Sequence, residues 1–145
     1  MTFKTESTGY LANHLARLYA ILLNEQIKPL GISTAHFPIL LELWQQDGIT
    51  QNDLVQLGNL AQATIANTLN RMERDGLITR VADKKDARVK HILLTKKARS
   101  LETKAINCAR QVNQQSLSVL TEEEQKQFNT LMQRVIIRQR ELVEE

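Results

Sequence analysis

Apolar residues in this chain recur three and four positions apart almost throughout, except in one central window where the spacing turns extended. Leu77-Ile78-Thr79-Arg80-Val81 reads as one strand, and Arg88 to Leu94, carrying Val89, Ile92 and Leu94, reads as a second. The polar run Ala82-Asp83-Lys84-Lys85-Asp86-Ala87 joins them as the tip of a hairpin. Helical spacing on both sides of a single hairpin makes the chain mainly α with a small β-hairpin wing. Aromatic residues are only 4% and there are five Gly and two Pro, which leaves little turn chemistry for an all-β fold.

The helices follow from their caps and seams. Ser7 or Thr8 opens a helix to about Gln26, in which Leu11, Leu15, Leu18 and Leu22 form a seam widened by Tyr10, Tyr19 and Ile21; Pro29 and Gly31 end it. Ser33 or Thr34 is expected to cap a second helix carrying Phe37, Leu40, Leu41 and Trp44, with Pro38 near its first turn and Asp47-Gly48 closing it. Thr50-Gln51-Asn52-Asp53 caps a short helix that stops at Gly58-Asn59. The next begins near Gln62, turns Ile65, Leu69 and Met72 inward, and ends at Asp75-Gly76. After the hairpin, Thr95 caps a long helix with Ala98, Leu101, Ala105, Cys108, Ala109 and Val112 on one stripe. Thr121 to Glu124 is a capping box for a last helix whose seam includes Phe128, Leu131, Val135 and Leu142. With 145 residues there is room for one domain: a winged helix-turn-helix lobe over 33–95, flanked by long helices over 7–28 and 96–143.

Charge singles out the same centre. Residues 61–100 hold ten Lys or Arg against four Asp or Glu, while the rest of the chain is mildly acidic. A basic window of this kind suits a polyanion, although a solvated surface would show the same count. The order helix, tight turn, helix, hairpin adds what charge alone lacks, because it braces the second helix so that its outer face protrudes and fits a major groove. With Ile65, Leu69 and Met72 inward, Ala63, Asn67, Asn70 and Arg74 face out, flanked by Gln62, Thr64, Ala66 and Arg71. Asn and Gln read adenine by paired hydrogen bonds, and Arg reads guanine or holds phosphate. Double-stranded DNA is the expected partner. The competing reading is a helical interaction module whose lobe binds protein; a steep loss of duplex affinity with salt separates the two.

Two stretches carry a family resemblance. Leu69-Asn70-Arg71-Met72-Glu73-Arg74-Asp75-Gly76-Leu77-Ile78-Thr79-Arg80 resembles the pattern of the MarR family of bacterial transcription regulators, as does Asp83-Lys84-Lys85-Asp86-Ala87-Arg88 followed by Leu94-Thr95. The resemblance implies a homodimer whose terminal helices interlock and whose winged lobes meet successive major grooves. It places Ala63, Thr64, Asn67 and Arg71 at the major groove, Arg88 in the minor groove and Asp86 as the acid that orients it. An arginine in a narrow minor groove gains from the concentrated negative potential there, and Lys84 and Lys85 add phosphate contacts. Two positions depart from the pattern: Asn67 stands where many relatives carry Arg, and Ala87 where the wing usually carries another Arg. The resemblance further implies release from DNA by a small molecule, often an aromatic acid. Tyr10, His14, Arg17 and Tyr19 on the first helix and His36 at the second are candidates by position, against the plainer reading of packing and rim residues.

The apolar stripes on the long helices exceed what one winged lobe of about 60 residues covers, which argues independently for a two-fold dimer, against the alternative of a monomeric helical bundle closing on itself. Three His and one Cys on separate helices show no metal-ligand spacing, and no cofactor is expected. Cys108 sits on an apolar stripe, which favours packing over a redox role. No phosphate loop, nucleophile elbow or carboxylate pair marks an enzyme. No apolar run approaches the roughly 20 residues of a membrane span, and with one cysteine the expected compartment is the cytoplasm.

Overall fold

The computed structural model describes residues 1–57 and 60–145; the expected stop of the short helix at Gly58-Asn59 lies outside the described residues. By their contacts the described residues form two compact units, 1–109 and 110–145.

The first unit opens on a one-turn helix, α1 (Phe3–Glu6), that the sequence did not signal; Thr2 and Thr5 hold it by reciprocal hydrogen bonds. Helix α2 (Thr8–Ile27) begins where expected, with the Ser7 hydroxyl accepting from the Tyr10 amide at 3.2 Å. A 3-10 turn over Lys28–Leu30 and left-handed Gly31 (φ 78°) then redirect the chain. Helix α3 (Phe37–Gln45) starts later than expected, and neither Ser33 nor Thr34 caps it. Ser33 instead closes a turn, its carbonyl accepting from the His36 amide at 3.1 Å. Pro38 has no N–H and belongs in a first turn, which fixes the start of α3 at Phe37.

Helix α4 (Gln51–Gln56) has the expected Thr50 cap, and Asp53 makes it reciprocal: Thr50 Oγ1 accepts from the Asp53 amide, and Asp53 Oδ2 from the Thr50 amide. Helix α5 (Gln62–Arg74) buries Ile65, Thr68, Leu69 and Met72, and Gly76 (φ 74°) ends it in the left-handed region. Strands β1 (Ile78–Ala82) and β2 (Lys90–Leu94) pair antiparallel with Ile78 opposite Leu94 and Ala82 opposite Lys90. Arg88 and Val89, expected in the second strand, belong to the tip: the Asp83 amide donates to Val89 O and the Val89 amide to Asp86 O. The tip folds on itself because the Asp83 carboxylate accepts from the amides of Lys85 and Asp86. The turn after α3 supplies a further edge, with Ile49 O accepting from the Ile92 amide at 2.8 Å and Thr50 bridging to His91.

The expected single helix after Thr95 is two, α6 (Lys96–Ser100) and α7 (Glu102–Ser116), broken at Leu101. The Leu101 amide bonds three residues back to Ala98 O, and the Ser100 hydroxyl donates to Lys97 O at 2.6 Å. Both tighten the local turn, and back-bonding serines bend helices. The core joins Leu40, Leu43, Ile65, Leu69, Met72 and Ile92 with Ile27 at the end of α2 and with Ala98 and Ala105 beyond the hairpin. Trp44 meets Phe37 edge to face and donates Nε1–H to Ala98 O at 3.0 Å. Cys108 is half-buried against this core, as its stripe predicts.

The second unit is the end of α7, a turn and α8 (Glu122–Glu144). Thr121 and Glu124 form the expected capping box, and the Gln125 amide group donates to Leu117 O and Leu120 O. Helix α8 has no buried residue, and Leu131, Val135 and Leu142 of its seam are 49–53% exposed. The α2 seam, Leu11, Leu15, Leu18 and Leu22, is likewise 39–49% exposed. Neither stripe is covered within the single chain.

Candidate nucleic-acid interface

Helix α5 is amphipathic because its apolar residues fall at spacings of four and three, so its other face is polar by construction. On that face Gln62, Ala63, Thr64, Asn67, Asn70, Arg71 and Arg74 are all exposed, with Ala66 half-buried. Not all are equally disengaged. Asn70 Oδ1 accepts from the Arg80 guanidinium, which also pairs with Glu73 at 3.6 Å, so Asn70 is tied to β1. Arg74 lies 3.4 Å from Asp75.

On the wing, Lys84 and Lys85 are exposed and Asp86 is half-buried. Arg88 makes two parallel bonds to the Asp86 carboxylate, Nε to Oδ1 at 3.1 Å and Nη2 to Oδ2 at 3.2 Å. Its own amide donates to the same Oδ1 at 3.0 Å. This fork-to-fork pairing fixes the guanidinium plane and holds the Asp86 carboxyl below its ordinary range. The Arg88 side chain is nevertheless 91% exposed. It is therefore oriented and still presented to solvent. A cleft of about 270 Å³ runs between Gln51, Asn52 and Gln62 on the helices and Arg88 and Lys90 on the wing, so α5 and the wing border one groove.

Among the ligand candidates, Tyr10, His14 and Arg17 are exposed on α2 and Tyr19 is half-buried; Tyr10 and His14 meet edge to face at 6.1 Å. His36 is buried: its Nδ1 accepts from the Ser33 amide at 3.4 Å and its Nε2 lies 3.9 Å from Asp75. Burial pushes its pKa down, with Asp75 opposing and Arg71 and Arg74 reinforcing. No group of His, Cys, Asp and Glu suited to a metal ion occurs among the described residues, nor a helix long and apolar enough to cross a membrane.

Sequence reading missed three residues that hold this surface together. Asp47 Oδ1 accepts from the Gly48 and Leu94 amides while its Oδ2 accepts from Arg99. Arg80 ties β1 to α5, and His91 bridges the wing to the loop after α3. The Asp47 contacts with Leu94 and Arg99 and the His91 contact with Gly48 join residues far apart in sequence, and only the hairpin register, which places Arg80 opposite Ile92, could have hinted at which strand positions turn toward the helices.

A protruding helix braced by a shorter one, followed by a basic hairpin, defines a winged helix-turn-helix protein. The MarR family model matches residues 32–90. An HTH-type transcriptional regulator from Bacillus cereus is 34% identical over 115 residues, covering 77% of this chain and 75% of the relative. The PcaV transcriptional regulator from Streptomyces coelicolor, solved with its natural ligand, is 25% identical with a TM-score of 0.81, over 94% of this chain and 96% of that one. The S. aureus MepR–DNA complex is 27% identical with a TM-score of 0.80, over 90% and 96% respectively. The chain belongs to the MarR family of DNA-binding transcriptional regulators.

Proposed function

We propose that the protein is a homodimeric repressor that occupies a palindromic promoter site and is released by a small molecule, an aromatic acid being the favoured class. The observation that carries the DNA-reading part is Arg88, locked in plane by Asp86 yet almost wholly exposed beside the N-terminal half of α5. Gln62, Ala63, Thr64, Asn67 and Arg71 read the major groove, with Asn70 and Arg74 toward its edge. Arg88 enters the adjoining minor groove, and Lys84 and Lys85 hold phosphate. The uncovered stripes of α2 and α8 support the dimer, since a second copy buries them and presents two readers to a two-fold site. MepR, solved on DNA, supports the same use of the fold.

Selection from random duplex DNA tests the reading: a palindrome is expected, and enrichment of no site would refute it. On the selected duplex Arg88→Ala should cost about 1–3 kcal/mol, whereas Lys84→Ala should chiefly reduce the salt slope, by about 1. Ligand release draws on PcaV, solved with its natural ligand, and on the edge-to-face Tyr10–His14 pair one turn before Arg17, a guanidinium able to fork onto a carboxylate. Benzoate should lower duplex affinity in the wild type and do so less in Arg17→Ala; a panel of aromatic carboxylates that shifts neither affinity nor melting temperature would remove this part.

A further inference from the structure

His91 lies on β2 with both ring nitrogens committed. Nδ1 is 2.8 Å from Gly48 O, in the loop after α3, and Nε2 is 2.7 Å from Asp83 Oδ1, at the root of the wing tip. Neither acceptor has a proton to offer. A backbone carbonyl never has one, and Asp83 is kept ionised by His91 and by the amides of Lys85 and Asp86. Both nitrogens must therefore donate, which only the imidazolium form can do. The groups facing the ring agree in sign: Asp83 from the wing and Asp53 from α4 raise its pKa, while the neighbouring Asp47 carboxylate is engaged by Arg99 and two amides. The side chain is 37% exposed, so a proton can come and go.

From Asp83 the contacts lead straight to the reader. Its second oxygen accepts from the Lys85 and Asp86 amides at 3.0 and 3.1 Å, and Asp86 carries Arg88. We propose that His91 is a positioning residue for the wing: in its doubly hydrogen-bonded form it fastens the tip that aims Arg88, and loss of its proton releases that tip and weakens DNA binding. Neutral imidazole keeps one N–H, so one of the two contacts becomes lone pair against lone pair at under 3 Å and must open. The sign follows. A group whose pKa is raised in the folded protein contributes fully below its unfolded value near 6.5, and the contribution is lost as pH rises through the folded value. Nearby phosphates would favour the imidazolium further, so duplex binding is coupled to proton uptake. The effect on DNA rests on the reading of the wing as a DNA contact; the proton-dependent fastening does not.

The experiment has two arms. In the free protein, NMR from pH 5.5 to 9 should show His91 protonated on both nitrogens at pH 6.5, with the Lys85 and Asp86 amides and Arg88 Nε shifting at the same midpoint. The amide shifts should vanish in His91→Gln. A His91 ring with a single N–H at pH 6.5, or tip amides that ignore its titration, overturns the proposal. In the second arm, affinity for the selected duplex at fixed salt should fall about three- to tenfold from pH 6.5 to pH 9, the size of one net hydrogen bond. The profile should be flat in His91→Gln and flattened in Asp83→Asn, which keeps the ring but removes its charged partner. A profile in both variants as steep as the wild type's overturns the proposal. Absence of duplex binding at every pH, with the first arm intact, would instead defeat the DNA-reading assignment and leave the fastening supported.

Discussion

Replacing Asp47 with alanine should destabilise the winged lobe far more than its position in a surface turn suggests. The carboxylate makes three contacts of different worth. The Gly48 amide at 2.9 Å has a second acceptor, Ile92 O at 3.0 Å, and stays satisfied without Asp47. Arg99, at 3.0 Å with a side chain 62% exposed, forms a solvated pair worth about 0–1 kcal/mol. The Leu94 amide at 2.9 Å is half-buried, and Asp47 is the acceptor that β2 leaves to it. Orphaning such a donor costs about 1–3 kcal/mol. The two losses together span about 1–4 kcal/mol, so Asp47→Ala is expected near the middle, about 2–3 kcal/mol, set chiefly by Leu94. Asp47→Asn keeps a carbonyl oxygen for both amides but turns an NH2 toward Arg99 in place of Oδ2, losing only that solvated pair, so it should cost about 1 kcal/mol or less. Urea unfolding followed by circular dichroism, at one fixed protein concentration because association contributes to apparent stability, separates the cases. With a slope of about 1–3 kcal/mol/M, Asp47→Ala should lower the midpoint by about 1 M or more. An Asp47→Ala midpoint within about 0.3 M of wild type, or an Asn variant as unstable as the Ala variant, would refute the assignment to Leu94.

Leu69→Ala removes a fully buried side chain from the middle of α5 and should cost about 3–5 kcal/mol in the same assay. Leu18→Glu and Leu131→Glu place charge on the uncovered stripes, and sedimentation should show a monomer while circular dichroism keeps the helices; a dimer that survives both would mean that other surfaces join the copies. Acid should loosen the wing tip: the Asp83 and Asp86 pKa values are depressed by His91 and Arg88 respectively, so their contribution stands above pH 4 and is lost as pH falls through the folded values. Amide exchange at Lys85 and Asp86 should speed up below pH 4 relative to the β1 and β2 amides, once the intrinsic pH dependence is divided out.

What was legible in the sequence was whatever short-range chemistry decides. The caps at Ser7, Thr50, Thr95 and Thr121 each bond three residues ahead, so spacing alone located them. The inward set Ile65, Leu69 and Met72 follows from helical period, and the outward set of α5 is its complement. The errors share a cause as well. A visible hydroxyl points to Ser33 or Thr34 as the cap of α3, whereas Pro38 governs its start. The break at Leu101 coincides with a serine bonding backwards, a feature that an unbroken apolar stripe hides. Arg88 reads as strand because β2 continues its alternation, whereas Asp83 and Asp86 fold the tip. The Arg80–Asn70 and His91–Asp83 pairs depend on hairpin register and on the approach of the loop after α3, which no local pattern encodes.

The two acids of the tip pose the remaining physical question, because a loop proposed to meet phosphate gains nothing from negative charge. Residues 83–88 carry Lys84, Lys85 and Arg88 against Asp83 and Asp86, a net of one positive charge. Replacing both acids by neutral residues would raise the Coulombic attraction, yet each is neutralised locally: Asp83 by His91 and two amides, Asp86 by the guanidinium and amide of Arg88. What they supply is order. An unrestrained arginine loses up to about 2 kcal/mol of rotamer freedom on being fixed, and here much of that loss is taken on folding, before any duplex arrives. The same logic bears on Ala87, where a second arginine would add charge with no carboxylate left to orient it, since both oxygens of Asp86 already hold Arg88. The wing thus trades field strength for geometry. That predicts a modest salt slope and a large effect of Arg88, and an Ala87→Arg variant that steepens the salt slope without sharpening the selected site.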